Sequence, residues 1–146
     1  MNLEVSQKQR LGREGALMVL FGIDITDQDP VEALELTRGL VRDVKREIVD
    51  QWGYTKTRVL GVADRKKTVD ETIQQVSTRW KIERMSVVDR NLLRIGAWEL
   101  FHSEVPPIVT INACVELAKT YGEESTPGFV NGLLDQICTD HGIDVA

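Results

Sequence analysis

The chain has little of what most often carries chemistry: two cysteines, two histidines, four prolines and only 5% aromatic residues in 146 positions. Cys114 and Cys138 are too few for a disulfide scaffold, and a reducing cytoplasm is the expected setting. No apolar run approaches the roughly 18 residues of a transmembrane helix. The polar stretch from Met1 to Arg13 lacks the apolar core of a signal peptide. Phosphate-binding G-x-x-x-x-G-K-[ST], dinucleotide-binding G-x-G-x-x-G and zinc-binding H-E-x-x-H motifs are all missing. His102 and His141 have no Cys or His at metal spacing and read as helix-end residues. Asp135, Asp140 and Asp144 supply carboxylates without a base, nucleophile or metal set beside them. The expectation is a protein that is not an enzyme and needs neither metal nor cofactor.

What is present is an ordinary globular composition, 42% hydrophobic and 28% charged, which argues against disorder. One domain of this length buries roughly 68–70% of its unfolded surface. The net charge of −5 argues against coating nucleic acid by bulk charge, and its distribution is uneven. Residues 1–112 balance 17 bases against 17 acids, whereas residues 113–146 hold Lys119 against Glu116, Glu123, Glu124, Asp135, Asp140 and Asp144. The first thirteen residues oppose this trend, with Lys8, Arg10 and Arg13 against Glu4.

Helical periodicity runs through the chain, and no stretch alternates with period two. Ser6 is placed as the cap of a first helix reaching Asp24, and Asp29-Pro30 as cap and first residue of a second reaching towards Trp52-Gly53. A third stretch spans roughly Lys56 to Trp80, with a polar seam at Asp64-Arg65-Lys66-Lys67 that is a solvated face or a short break. Ser86 and Asp89 resemble a capping box opening a helix through Phe101, which Pro106-Pro107 closes. A stripe from Ile111 to Tyr121 stops at Gly122, and Thr126-Pro127 starts a last helix through Cys138. Both cysteines fall on apolar stripes, as buried packing residues do. Gly132 lies inside the last stripe and is read as a close-packing position, where glycine costs about 1 kcal/mol relative to alanine. The fold expected is all-α, about six or seven helices in a single bundle, with an N-terminal half over about 1–80 and a C-terminal half over about 86–141.

Two groups of bases stand out. Lys8, Arg10 and Arg13 lie near the start of the first helix, with Arg10 and Arg13 three apart, and Lys81, Arg84, Arg90 and Arg94 surround the capping box. Such clusters suit phosphates, because guanidinium groups bind phosphate oxygens bidentately and neutralisation releases counterions. Trp52, Trp80 and Trp98 can stack on bases but are read as packing residues.

Five blocks in the C-terminal half carry a resemblance. They are Leu93-Arg94-Ile95-Gly96-Ala97-Trp98-Glu99-Leu100, Ile111-Asn112, Val115-Glu116-Leu117-Ala118-Lys119, Tyr121-Gly122, and Phe129-Val130-Asn131-Gly132-Leu133-Leu134-Asp135. In order and spacing the chain resembles the NusB family of transcription antitermination factors, clearly over about Ser86 to Ile137 and more loosely in the first helix. The resemblance implies two helical subdomains and a non-enzymatic adaptor. Such an adaptor binds single-stranded boxA-type RNA together with the ribosomal protein NusE, and works with RNA polymerase and other Nus factors on ribosomal RNA operons. Carried over by position, it implies RNA contacts at Lys8, Arg10, Arg13, Arg90 and Ser125, and partner contacts at Phe21 and Asp89. It leaves Arg94, Glu99, Phe129, Asn131, Gly132 and Asp135 as structural signature residues, with Phe129, Val130 and Leu133 facing the core by period and Asn131 placed to satisfy a neighbouring helix.

The chain departs from the family pattern in three places. Gln9, Leu11 and Gly12 thin the basic element, Ala113 replaces a common acid, and Ser125-Thr126-Pro127-Gly128 has no base. Weak RNA binding alone, and stronger binding beside a basic partner, is the expectation. Two other readings share the fold: an RNA-binding domain associated with a ribosomal RNA methyltransferase, or a homodimer that masks its own RNA surface. The end of the chain at Ala146, with no cofactor-binding segment after the bundle, weighs against the first of these.

Overall fold

Among residues 3–145, which the computed structural model describes, the helical periodicity is realised as eight α-helices and no strand. They are α1 (Leu3–Thr26), α2 (Pro30–Arg42), α3 (Arg46–Val49), α4 (Trp52–Asp64), α5 (Lys66–Val76), α6 (Val87–His102), α7 (Pro107–Tyr121) and α8 (Thr126–Asp140), with a 3-10 turn at Ile82–Arg84. The chain divides into two compact units, Met1–Asp64 and Arg65–Ala146.

In the first unit α1 packs on α4, α2 and α3. Its buried face contains Gly12 and Gly15, and a Cβ built on either would collide with α4. At Gly12 it would stand 2.5 Å from Tyr54 Cδ1, and at Gly15 2.6 Å from Thr55 Oγ1. The two glycines form a notch into which α4 settles, and Thr55 Oγ1 donates to the Gly12 carbonyl at 2.7 Å. Asp29 caps α2, its Oδ2 accepting from the amides of Val31 (3.1 Å) and Glu32 (3.3 Å), with Pro30 at the first position. The second helix ends at Arg42 instead of running on to Trp52. Turning the chain there brings Ile48 to full burial beside Gly15 and lets Lys45 reach Glu14 of α1 at 2.9 Å. Both contacts outweigh the helical phase of the local sequence. Ser6 lies inside α1, which begins earlier than its sequence cap suggested.

The second unit is built around α6, whose residues from Asn91 to Glu99 are buried without interruption. A helix buried on all sides belongs to the centre of a core, and α5, α7 and α8 surround it. Gly96 admits α8, since a Cβ there would meet Leu134 Cδ1 at 2.7 Å. The polar groups of this buried helix have partners. Arg94 donates to both carboxylate oxygens of Asp70 on α5, at 2.8 and 3.1 Å, and to Asn91 Oδ1 at 3.0 Å. Glu99, with no solvent exposure, accepts from Thr110 Oγ1 of α7 at 2.8 Å. Ser86 caps α6 by accepting from the Asp89 amide at 3.1 Å. The helix ends at His102, and Pro107 opens α7, so the two prolines serve the following helix as its start. The polar seam at 64–67 is a true break between α4 and α5.

Candidate nucleic-acid interface

The basic start of α1 presents two bases to solvent. Lys8 and Arg10 are exposed, and Lys8 pairs with Glu4 one turn earlier at 3.2 Å. An exposed pair of this kind is worth at most about 1 kcal/mol, so a phosphate can displace it. Arg13 is different: only 1% of its surface is exposed. Gly12 lets the Tyr54 ring approach, and the Arg13 guanidinium lies 5.5 Å from that ring's centroid, with Arg58 on the same ring at 3.4 Å. Arg13 is therefore part of the α1–α4 packing and not a surface phosphate contact, because it lies on the notched face of the helix. Phe21, further along α1, keeps an exposed ring.

In the second unit a surface hollow of about 370 Å³ is bounded by Trp80, Arg84, Asp89, Glu123, Ser125 and Phe129, among others. It brings together Ser125, Asp89 and Phe129, three of the residues expected at the RNA site, the partner site and the signature. The loop from Glu123 to Ser125 is fixed against the start of α6. Thr126 Oγ1, itself buried, donates to Asp89 Oδ1 at 2.7 Å and accepts from the Glu123 amide at 3.0 Å. Asp89 thus serves the architecture with one carboxylate oxygen. Arg90 is half-buried and gives Nη1 to the carbonyls of Met85 (3.0 Å) and Glu83 (3.4 Å). Through Nη1 that guanidinium ties down the segment before α6, so the residue expected at the phosphate also supports the loop. Arg94 is likewise committed, to Asp70.

The Phe129–Asp135 signature divides differently from its period-based reading. Val130 and Leu134 enter the core, whereas Phe129 and Leu133 are half-buried and line surface hollows. Gly132 is exposed, with nothing within 4 Å of a Cβ built there, so it is not a close-packing position. Asn131 and Asp135 are exposed too, and Asn131 does not turn inward to a neighbouring helix. The apolar stripe of α8 is simply narrower than assumed.

Trp98 is buried and Trp52 half-buried, as packing residues are, but Trp80 is 55% exposed. The exposure of Trp80 goes against its reading as a packing residue; Arg84 belongs to the second group of bases, while Arg79 drew no attention in the sequence. The available signal is their position, off any apolar stripe, between the end of α5 and the cap of α6. Another hollow, about 310 Å³, is lined by Arg65, Thr68, Thr72, Phe101, His102 and His141. Partial burial there, and then the charge of Arg65, hold the His102 imidazole below its ordinary pKa. Among the described residues no group of three or more His, Cys, Asp or Glu could hold a metal ion, and no helix is long and apolar enough to cross a membrane.

Fold and surface together define an all-helical protein of two units, with exposed bases on the first helix of one and an aromatic-lined hollow on the other. Comparison with known proteins narrows that class. Residues 10–139 match the NusB family, and the chain belongs to that family. The transcription antitermination protein NusB of Anaeromyxobacter sp. (strain Fw109-5) is 41% identical over 134 residues, covering 91% of either chain. Among solved structures, T. maritima NusB superposes with a TM-score of 0.74 at 30% identity, over 90% of this chain and 91% of that one. A chain from the crystal structure of antitermination factors NusB and NusE in complex with dsRNA gives 0.80 at 27% identity, over 92% and 98%.

Proposed function

We propose that this chain is a transcription antitermination factor that binds boxA-type RNA together with the ribosomal protein NusE and supports processive transcription of ribosomal RNA operons. The observation that carries the reading is its likeness, over nearly its whole length, to a chain solved with NusB, NusE and RNA in one complex. Its own surface fits such work. Lys8 and Arg10 offer exposed cations, and Ser125 lies on a fixed loop beside an aromatic hollow. Phe21 offers an exposed ring to a partner. The six acids beyond residue 112 are all exposed, a surface matched to a basic protein. On this reading the chain is an adaptor and not an enzyme, acting on nascent RNA in the cytoplasm beside RNA polymerase and the other Nus factors.

The test is binding of a boxA-like single-stranded oligoribonucleotide across a salt series, with and without NusE. Weak, salt-sensitive binding alone and tighter binding with NusE are expected. RNA affinity that NusE leaves unchanged would sink the shared-site reading.

A further inference from the structure

Trp80 exposes an indole that a core would gain from burying, and it does so on a loop that is held still. Gln74, from the last turns of α5, donates Nε2 to the carbonyls of Ser77 and Trp80, both at 3.1 Å, and accepts from the Ile82 amide at 2.9 Å. Ser77 Oγ adds a bond to the Trp80 carbonyl at 2.6 Å. The backbone at Trp80 is therefore tied down while the residue stays 55% exposed. An exposed aromatic on an anchored backbone loses less conformational freedom on binding than one on a loose loop.

Trp80 and Phe129 border both the 370 Å³ hollow and a neighbouring one of about 250 Å³. Arg84 and Ser125 belong to the first of these and Arg79 to the second, so cations flank the aromatic pair on either side. Glu123 and Asp89, on the wall of the larger hollow, disfavour a phosphate inside it but accept hydrogen bonds from base edges. Two aromatic residues shared by adjoining hollows, with arginines and acceptors on the same walls, match a nucleotide whose base lies against a ring and whose phosphates lie beside the cations.

We propose that Trp80, with Phe129, is a stacking platform for an unstacked base of single-stranded RNA, with Arg79 and Arg84 beside the adjoining phosphates. The proposal rests on the RNA-binding reading above and names the surface that takes the base. It assigns base recognition to the segment between α5 and α6.

The experiment uses the full chain, with NusE present, and a boxA-like single-stranded oligoribonucleotide together with a set in which each nucleotide in turn is abasic. Trp80→Ala is expected to weaken binding about ten-fold, as loss of one stacked base does, and to leave the salt slope unchanged. Trp80→Phe keeps a stacking face and is expected to retain most of the affinity. One abasic position should weaken the wild type and cause no further loss in Trp80→Ala. Equal RNA affinity of wild type and Trp80→Ala, or the same abasic penalty in both, overturns the platform and leaves the broader function standing. RNA binding by the wild type in no condition sinks that function and the platform with it. Loss of NusE binding in Trp80→Ala without RNA would put a protein side chain on the ring, and would also overturn the proposal.

Discussion

Arg10 and Arg13 are three residues apart on α1, yet one is exposed and the other almost fully enclosed. The step between them rotates the side chain by about 60° on a helix, enough to carry it from the solvent edge to the notched face. Their substitutions should therefore separate two properties. Lys8→Ala with Arg10→Ala is expected to lower the salt slope of RNA binding by about 1.4, for two single-strand phosphates released. Arg13→Ala should leave that slope alone and destabilise the fold by about 1–3 kcal/mol in urea titrations. His102 gives a pH signature. Its pKa is lowered in the folded state by partial burial and by Arg65, so protonation favours the unfolded chain. Its contribution is complete above the unfolded value near pH 6.5 and is lost as pH falls through the lower folded value. The ring is largely exposed, so the effect is small, and stability measured between pH 7 and 5 should fall less in His102→Gln than in the wild type.

At the scale of elements, three helix starts were legible because their chemistry is local. Asp29-Pro30, Ser86 with Asp89, and Thr126-Pro127 each open a helix where the sequence places it. The end of α2 was not legible. No glycine or proline marks Arg42, and what stops the helix is the demand of Ile48 and Lys45 for α1, a contact between segments far apart in sequence. The same limit applied to glycine. Gly12, Gly15, Gly96 and Gly132 all lie within helices, but only the first three face another helix closely enough to exclude a side chain. Gly132→Ala is thus expected to be neutral or to stabilise by up to about 1 kcal/mol, whereas Gly12→Ala and Gly15→Ala should lower the thermal midpoint by driving a methyl group into Tyr54 or Thr55. The α5–α6 pair gives a further contrast. Asp70→Asn leaves Arg94 nearly buried beside a neutral partner and should cost about 3 kcal/mol, read from the denaturation midpoint.

For the whole molecule, the all-helical class and the family were readable from periodicity and from the five sequence blocks, while the distribution of site residues was not. For Trp80 the sequence offered only a position off any apolar stripe, because the path of its loop is set by the side chain of Gln74, and no periodicity reports a side chain bonding to backbone. Both cysteines lie in the second unit, and both are buried. Burial, and then the nearby Asp135 carboxylate, push the Cys138 thiol up, which keeps it protonated and slow to react. A thiol-specific chromogenic reagent should label neither cysteine in the native chain and both in denaturant. The rate of labelling then reports the opening of that unit alone. The notch on α1 has a consequence of another kind. One helix carries two interleaved alphabets: positions 12 and 15 accept almost nothing larger than glycine, while positions 8 and 10 are exposed and free of packing constraints. A saturation scan of α1, sorted once for abundance and once for RNA capture, would return two tolerance profiles that scarcely overlap. A lineage could then retune its RNA affinity along this helix without passing through unfolded intermediates.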